Sequence, residues 1–259
     1  MSDRLPLYWQ WGADKVDADT QRRLLDVNRR FYARFAGEFA DSRSTTQASL
    51  RRILSRIADG DAVLDVGCGD GRVARALHEM GRSVEYTGVD ASEAFVALAL
   101  QRAQGLALSA SCFVLADVAD PAWARSLPRQ QFSVVLALAL IHHLPGADMR
   151  QRLVADMAAL LGPSGTLFVS AWQFMGSERL RRKIVPWSTV GLDAVSLDEG
   201  DYLIDWQRGG SGLRYCHLLG EAELTGLCTS AGLTVADSFL ADNGLNLYVE
   251  AHKQGPGNS

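Results

Sequence analysis

The chain has 259 residues, of which 47% are hydrophobic and 22% charged, and its formal net charge is −4 at pH 7. This length supports one α/β domain with a sizeable core, and the acidic balance excludes a general electrostatic attraction to nucleic acid or acidic membranes. Residues 1–12 lack the apolar segment of a signal peptide, and no run reaches the ~18–20 apolar residues that span a bilayer. We therefore expect a cytoplasmic protein with no membrane partner.

The cysteines show neither CxxC spacing nor the density of a disulfide scaffold. They are Cys68, Cys112, Cys216 and Cys228. This usage is typical of reduced thiols in an intracellular protein. A zinc site is also disfavoured, because the adjacent His142 and His143 cannot easily place both rings on one metal. The sequence thus predicts no metal site.

The first predicted elements are two amphipathic helices. Apolar residues recur at steps of three and four from Thr20 to Ala40, and again from Thr46 to Ala58. From residue 60 onward, short apolar runs alternate with helical segments. Five strands are predicted in this part of the chain, at 63–66, 84–90, 112–117, 132–139 and 165–172. The alternation indicates right-handed crossovers and a parallel sheet covered by helices on both faces.

Residues 173–212 interrupt this alternation with a basic stretch, Trp187 and a glycine-rich segment. An irregular insertion of this length in a compact domain is usually a functional lid or binding loop. The regular pattern then resumes with a strand at 213–219 and a helix at 221–231. Two final strands, 234–240 and 245–251, flank a hairpin-type turn at 241–244.

These elements predict a single domain over residues 1–259. Its expected parts are an N-terminal helical cap (20–58), a cofactor-binding core (60–172), a substrate-side insertion (173–212) and a C-terminal sheet hairpin (213–251). An antiparallel hairpin would close the otherwise parallel sheet.

A glycine loop follows the first strand of this sheet. The strand ends near Asp65, and Gly67, Gly69 and Gly71 follow in the spacing GxGxG. Glycines let the backbone approach a ligand closely. Because Arg72 occupies the last glycine position of the dinucleotide fingerprint GxGxxG, the loop disfavours a dinucleotide. Asp65 can instead serve the ammonium group of an amino-acid moiety.

Acidic residues end the next two predicted strands. Asp90 can accept both hydroxyl groups of a ribose, and Asp117, with the amide of Val118, can read an adenine. Ligands bind parallel sheets at the carboxyl ends of the strands, so the three acids converge on one crevice. The alternative is that each aspartate is a helix cap or turn former. A single aspartate would fit this alternative, but aspartates at three successive strand ends make it less favoured.

On these motifs, residues 60–172 resemble the class I methyltransferases. The resemblance implies a Rossmann-like α/β fold with a seven-stranded, mostly parallel sheet and one antiparallel strand. It also implies S-adenosyl-L-methionine as the cofactor. The predicted cofactor-binding residues are Tyr32, Arg43, Asp65, Gly67, Gly69, Asp90, Ala91, Asp117, Val118, Ala137 and Leu138.

Further motifs narrow the resemblance. They are Phe31-Tyr32, Ser42-Arg43, Ile141-His142-His143, Pro186-Trp187, Arg214-Tyr215-Cys216-His217 and Asp242-Asn243. Together they resemble the tRNA wobble-uridine carboxymethyl methyltransferases, which are single-domain enzymes in yeast and are fused to an AlkB-type oxygenase in animals. The resemblance implies a carboxylate acceptor on tRNA. It also implies a small zinc-binding activator protein as a partner, because eukaryotic members depend on one.

The acceptor decides which residues are candidates for catalysis. A carboxylate is already ionised at pH 7 and needs no base, so a cation, first of all Arg214, would orient it. A hydroxyl or amine would instead need His143 or His217 to take its proton. The competing interpretation of Arg214 is a structural ion pair with Glu221 or Glu223.

The candidate substrate-binding residues are Trp172, Trp187 and Asn243. Two functions therefore stay open at this point, a tRNA carboxyl methyltransferase and a small-molecule O- or N-methyltransferase of metabolism. A catalytically silent scaffold is disfavoured, because such a protein has no need to keep the loop and all three acids together.

Overall fold

The computed structural model describes residues 16–42, 47–104 and 112–255. Two helices, α1 (Ala18–Ala40) and α2 (Ala48–Leu54), precede the first strand. The carboxylate of Asp17 caps α1 by accepting a hydrogen bond from the Thr20 amide at 2.7 Å. The apolar stripe of α1 includes Leu24 and Phe31, which are buried, so this helix packs closely on the rest of the protein.

Seven strands form the main sheet. They are β1 (Ala62–Val66), β2 (Glu85–Asp90), β3 (Cys112–Leu115), β4 (Phe132–Leu138), β5 (Leu161–Trp172), β9 (Leu233–Ala241) and β10 (Asn246–Lys253). Their order is β3-β2-β1-β4-β5-β10-β9. Strand β10 runs antiparallel to both of its neighbours, while β1 to β5 pair in parallel. The predicted fold, a seven-stranded α/β sheet with one antiparallel strand, is confirmed.

Helices cover both faces of this sheet, namely α3 (Arg72–Glu79), α4 (Glu93–Ala103), α5 (Ala147–Leu160) and α7 (Glu221–Ser230). On one face, Leu153 of α5 and Leu224 of α7 join a large apolar cluster. On the other face, Ile53 of α2 and Leu77 of α3 join a second cluster. The sheet is therefore buried on both sides, which is why its inner strands are nearly continuous apolar runs.

A second, three-stranded antiparallel sheet follows the short helix α6 (Glu178–Arg181). It consists of β6 (Ile184–Val185), β7 (Asp201–Trp206) and β8 (Gly212–His217). The prediction of an irregular insertion is thus wrong, and the strand predicted at 213–219 lies in this sheet rather than in the main one. Strand β6 has only two residues and β7 carries two aspartates, so neither shows clean period-two alternation.

The glycine-rich segment joins β7 to β8 and packs against α1. A Cβ atom on Gly212 would come within 2.5 Å of the Phe35 ring, and one on Gly209 within 2.6 Å of the Glu38 side chain. Only glycine lets this backbone lie so close to the helix. The second sheet and α1 are thereby held together at one end of the main sheet.

The turn between β9 and β10 is a tight hairpin, as the sequence predicts. The Leu245 amide donates to the Asp242 carbonyl at 3.2 Å, and the two residues between them, Asn243 and Gly244, adopt φ values of +58° and +76°. This left-handed conformation is the one that such turns require at both central positions. Among the described residues, no helix is both long and apolar enough to cross a membrane.

Candidate functional site

A cavity of about 580 Å³ lies at the carboxyl ends of β1, β2 and β4, with α1 along one side. Ten of the predicted site residues line it. They are Tyr32, Asp65, Gly67, Gly69, Asp90, Ala91, Asp117, Val118, Leu138 and His143. The structure therefore brings together side chains that the sequence places on five separate segments.

The glycine loop forms the floor of the cavity. The amides of Gly67 and Cys68 donate to the carbonyl of Val89 at 2.8 and 2.9 Å, and the Gly69 amide donates to the Asp90 carboxylate at 2.9 Å. The φ of Gly67 is +75°, and a Cβ atom there would come within 3.0 Å of the Leu140 side chain. The loop thus needs glycine for its conformation and for its close packing.

The surroundings of Asp65 and Asp90 in the cavity disfavour the ionised form of both carboxyl groups. Burial raises the pKa of Asp65 to about 7, although the Tyr86 hydroxyl donates to its carboxylate at 2.7 Å. Burial also raises the pKa of Asp90 to about 6, against hydrogen bonds from the amides of Ser92 and Gly69. A cationic or hydrogen-bonding ligand would favour the ionised form of both groups.

Asp117 connects the cavity wall to helix α1. Its carboxylate accepts from Arg29 Nη2 at 2.8 Å and from Arg29 Nε at 3.2 Å, and also from the Ala119 amide at 2.9 Å. Arg29 lies on α1 and pairs in addition with Asp26 at 2.8 Å. This ion pair spans the cavity wall between α1 and the end of β3.

His143 is hydrogen-bonded through both ring nitrogens. Its Nδ1 lies 3.1 Å from the Tyr215 carbonyl, which can only accept. Its Nε2 lies 2.7 Å from the Tyr32 hydroxyl. Asn28 supports this arrangement by pairing with both the amide and the carbonyl of Tyr215. The His143 imidazole and the Tyr32 hydroxyl thus face the cavity as a hydrogen-bonded pair.

Arg214 lies in an aromatic cage. Arg214 is only 6% exposed, and its guanidinium carbon lies 5.0 to 5.6 Å from the centroids of four aromatic rings. These rings are Phe31, Phe39, Trp172 and Trp206. Among the described residues no carboxylate pairs with Arg214, and its buried Nε has no hydrogen-bond partner.

The predicted alternative, an ion pair of Arg214 with Glu221 or Glu223, is wrong. Glu223 pairs with Arg150 at 3.1 Å and with His217, and Glu221 accepts a hydrogen bond from Ser238. Since Phe39 belongs both to the cage and to the cavity wall, the Arg214 guanidinium lies next to the cavity, with no carboxylate partner in the part of the chain that the structure describes.

His217 is placed for structure rather than for catalysis. Its Nδ1 lies 2.7 Å from Asp201 and its Nε2 lies 3.3 Å from Glu223. Burial opposes the charge of the ring, but the two carboxylates outweigh it and raise the pKa of His217 above its ordinary value. Because the residue does not line the cavity, unlike His143, we correct its predicted role as a base.

The remaining predicted residues divide between the cage, the core and the surface. Trp172 joins the Arg214 cage, whereas Trp187 packs near Tyr215 in a separate apolar cluster and does not line the cavity. Ala137 is fully buried in the core of the sheet rather than in the cavity wall. Asn243 is exposed on the β9–β10 turn. Arg43 lies outside the described residues.

The structure also places His142, His143 and Cys216 together, with one ligand atom of each within 4.8 Å of the others. Contrary to the sequence argument, the two adjacent rings do approach a common point. Both nitrogens of His143 are nevertheless engaged by Tyr32 and Tyr215, and burial raises the pKa of Cys216 to about 12, which keeps it a thiol. The absence of a metal stays a prediction.

Among the cavity-lining residues that the sequence analysis did not select are Phe39, Arg72 and Leu140. A signal existed for two of them. Arg72 replaces the last glycine of the dinucleotide fingerprint, and Phe39 lies seven residues after Tyr32, on the same face of α1. Leu140 carries no comparable mark.

Comparison with known proteins supports an enzymatic role for this cavity. Residues 63–165 match the family model described as a methyltransferase domain. A relative from Encephalitozoon cuniculi, named as a methyltransferase, is 29% identical over 85% of this chain and 93% of its own length.

Two other relatives match over shorter parts. A ubiquinone biosynthesis O-methyltransferase of Coxiella burnetii is 35% identical over 43% of this chain and 43% of its own length. A mouse protein named "Probable tRNA methyltransferase 9B" is 28% identical over 61% of this chain. That match spans only 32% of the mouse protein.

Solved structures share the fold at low identity. The 1,6-didemethyltoxoflavin N1-methyltransferase of Burkholderia thailandensis, solved with S-adenosylhomocysteine, has a TM-score of 0.60 and 21% identity over 90% of both chains. A methyltransferase of Haloferax volcanii, solved in complex with the Trm112 activator, has a TM-score of 0.60 and 19% identity. It covers 91% of this chain and 100% of its own.

The fold and the site together define a class I S-adenosyl-L-methionine-dependent methyltransferase. The residues present fit this cofactor. Asp65 and Asp90 supply the acids that an ammonium group and a ribose need, the glycine loop permits close approach, and the cavity is large enough for a nucleoside with an amino-acid arm.

Proposed function

We propose that this enzyme transfers its methyl group to a carboxylate, on an acceptor like the carboxymethylated wobble uridine of tRNA. The observation that carries the proposal is the guanidinium of Arg214, which is buried beside the cofactor cavity and has no carboxylate partner among the described residues. Four aromatic rings stabilise a cation by only about 0.5–2 kcal/mol each. A buried charge usually requires an opposite charge as well, and an acceptor carboxylate would supply it.

The proposed reaction needs little from the protein beyond positioning. When bound, the cofactor supplies a methyl group on a positively charged sulfur. One oxygen of the acceptor carboxylate forms the new C–O bond, the C–S bond breaks, and its electron pair stays on sulfur. Arg214 holds the carboxylate in line, and the surrounding rings exclude water. No proton is transferred, so no base is required.

Two further features support a tRNA acceptor. The motifs outside the cofactor region resemble the wobble-uridine family, and one relative is named as a tRNA methyltransferase. In addition, Arg179 and Arg181 are exposed on α6, and Leu180 of that helix packs with Phe174 beside Trp172. Cations next to the cage are suited to contact a nucleic-acid backbone.

A small-molecule O- or N-methyltransferase is the second candidate. The observation that favours it is the Tyr32–His143 pair, which lines the cavity and includes an imidazole, the side chain that most often takes a proton from a hydroxyl or amine. The relative from Coxiella burnetii, named as an O-methyltransferase, gives this candidate independent support.

The remaining expectations follow from the same resemblance. We propose a cytoplasmic enzyme that acts as a single domain, with residues 20–58 covering the cofactor and 173–212 facing the acceptor. A small zinc-binding activator is the proposed protein partner. The Haloferax volcanii structure, whose methyltransferase is bound to a Trm112 activator, supports this partner.

Substitution of the caged arginine tests the function. We expect Arg214→Met to lower methyl transfer to bulk tRNA by about 100-fold or more, because the acceptor loses the partner of its charge. Affinity for S-adenosylhomocysteine, measured by calorimetry, should change less than about twofold, since Arg214 does not line the cavity. The transfer assay uses labelled S-adenosylmethionine and the whole chain.

Arg208 provides the matched control. It lies in the loop of the same β7–β8 hairpin, and its side chain is exposed, so Arg208→Met should leave transfer unchanged. If Arg214→Met retains full transfer while His143→Gln abolishes it, the carboxylate proposal is wrong and the base-dependent alternative holds.

A further inference from the structure

The cofactor has an anionic group that the acids of the cavity cannot bind. Its amino-acid arm carries an ammonium group, which suits Asp65, and a carboxylate, which needs a cation or several amide donors. Two guanidinium groups, those of Arg29 and Arg72, border the cavity within the part of the chain that the structure describes. The methionyl carboxylate therefore has two candidate side-chain cations.

Arg29 lies at the wrong end for this task. It is bonded to Asp117 and Asp26, and Asp117 follows β3, the edge strand of the main sheet. Asp65 lies on β1, two strands away, with β2 between. Arg29 is thus both already paired and distant from the acid that suits the ammonium group.

Arg72 lies at the matching end. It is the first residue of α3 and follows Gly71 directly, and it is near enough to Asp65 to lower the pKa of that carboxyl group in part. The two side chains thus place one positive and one negative charge at the same end of the cavity. A zwitterionic amino-acid group needs this pair of opposite charges.

A hydrogen-bonded chain supports Arg72 from behind. Its Nη1 donates to Gln47 Oε1 at 3.0 Å, and the Gln47 side chain is in turn hydrogen-bonded to Asp242. Asp242 also accepts from Ser49 at 2.8 Å and from Asn246 at 2.7 Å. These bonds outweigh burial and lower the pKa of Asp242, which keeps it an anion at neutral pH.

This chain connects the β9–β10 turn with the cofactor cavity. Asp242 is fixed by the left-handed turn and by a fourth donor, the hydroxyl of Tyr248 at 3.1 Å. The hydrogen bond between Asp242 and the Gln47 side chain orients Gln47 so that its amide oxygen faces Arg72. The sequence analysis selected Asn243 of this turn as a substrate-binding residue. The structure instead connects the neighbouring Asp242 to the cofactor cavity through Gln47 and Arg72.

We propose that Arg72 binds the methionyl carboxylate of the cofactor, and that Asp242, acting through Gln47, is a positioning residue for Arg72. Neither assignment depends on the nature of the methyl acceptor. The inference can therefore fail or succeed independently of the carboxylate proposal.

Two ligands that differ only in the amino-acid arm test the proposal by calorimetry. S-adenosylhomocysteine carries the carboxylate, whereas 5′-methylthioadenosine lacks the whole amino-acid group. We expect Arg72→Gln to weaken S-adenosylhomocysteine binding by about tenfold or more, as for loss of a charge-assisted bond, and to leave methylthioadenosine binding within about twofold. Arg72→Lys should restore part of the loss.

Two further variants make the result specific. Arg29→Gln should weaken both ligands by a similar factor, because its ion pair lies at the nucleoside end. Asp242→Asn should weaken S-adenosylhomocysteine alone, by less than Arg72→Gln does. Retained methylthioadenosine binding shows that the cavity is folded. Equal loss of both ligands in Arg72→Gln, or no loss of either, would overturn the proposal.

Discussion

Asp65 and Asp90 illustrate how burial prepares a residue for a ligand. Both carboxyl groups lie on the cavity wall, and burial raises their pKa values to about 7 and about 6. Without a ligand, Asp65 is therefore only partly ionised at neutral pH, and Asp90 loses its charge as the pH falls through about 6. An ammonium group near Asp65 and hydroxyl donors near Asp90 favour the ionised forms, so ligand binding and ionisation are linked.

This linkage predicts the pH dependence of cofactor binding. The dissociation constant of S-adenosylhomocysteine should rise by about ten- to a hundredfold from pH 8 to pH 5.5, because both acids must lose protons to bind. Calorimetry at several pH values measures this change. Asp65→Asn should weaken binding and flatten the profile near pH 7, and a profile that is flat in the unmutated protein would contradict the prediction.

At the residue level, the sequence allowed prediction of those site residues that belong to one short motif. Asp65, Asp90 and the glycines are each recognisable from their position at a strand end. The Arg214 cage was not predictable, because its rings come from α1, β5 and β7 and meet only in the folded chain. His217 was misassigned for the same reason, since its partner Asp201 lies 16 residues away on β7.

At the level of elements, helix α1 covers one side of the cavity, and one of its contacts across the cavity wall is an ion pair. Arg29 bridges from α1 to Asp117 at 2.8 Å. We expect Arg29→Gln to speed the dissociation of S-adenosylhomocysteine by severalfold, because the cover opens more often once this contact is lost. Stopped-flow fluorescence with a displacing ligand measures the rate.

Arg22→Gln is the matched control for the cover. Arg22 also lies on α1 and pairs with an aspartate, Asp19, but both side chains are well exposed and neither residue lines the cavity. Its loss should leave the dissociation rate unchanged. A rate that responds equally to both substitutions would mean that the stability of the helix, rather than the Arg29–Asp117 ion pair, controls the release of the ligand.

The second sheet is joined to the main domain by a buried ionic cluster. His217 of β8 lies between Asp201 of β7 and Glu223 of α7, which also pairs with Arg150 of α5. Because the pKa of His217 is raised in the folded protein, its stabilising effect is complete below about pH 6.5, its ordinary pKa. The effect is lost as pH rises through the folded value.

We therefore expect His217→Gln to lower the free energy of unfolding by about 3 kcal/mol near pH 6, and by less near pH 9. Urea denaturation at the two pH values measures the difference. His78→Gln, on α3, serves as the control and should show a small effect at both. If His217→Gln destabilises the protein equally at both pH values, the ring is not held as a cation.

Element types in the main sheet were predictable from the alternation of apolar runs with helical periodicity, which buried parallel strands and their crossovers produce. The second sheet was not. Its strands are short, carry charged residues and gain their order from pairing, as between Ile204 and Arg214. Pairing of distant segments leaves little local pattern in a sequence.

At the scale of the whole molecule, the empty enzyme is expected to be more stable in mild acid than at neutral pH. Asp65 has a folded pKa of about 7 and an unfolded pKa of about 3.9. A raised folded pKa adds stability at low pH, and this stability is lost between those two values. His217, whose pKa is also raised in the folded protein, acts in the same direction from about pH 6.5 upward.

Thermal melting between about pH 5 and pH 8 tests this prediction. The melting temperature of the free protein should fall across the range by several degrees. With saturating S-adenosylhomocysteine the fall should be smaller, because the ligand favours the ionised acids. A free protein that becomes more stable toward pH 8 would contradict the prediction.

The central claim is that the methyl group goes to a carboxylate on tRNA. It is tested most directly by incubating the enzyme, with and without a Trm112-type activator, with labelled S-adenosylmethionine and either bulk tRNA or a deproteinised small-molecule extract. We predict label in the tRNA fraction that mild alkali releases, since esters hydrolyse under those conditions. Label that stays in tRNA after alkali, or that enters only the small-molecule fraction, would contradict the account.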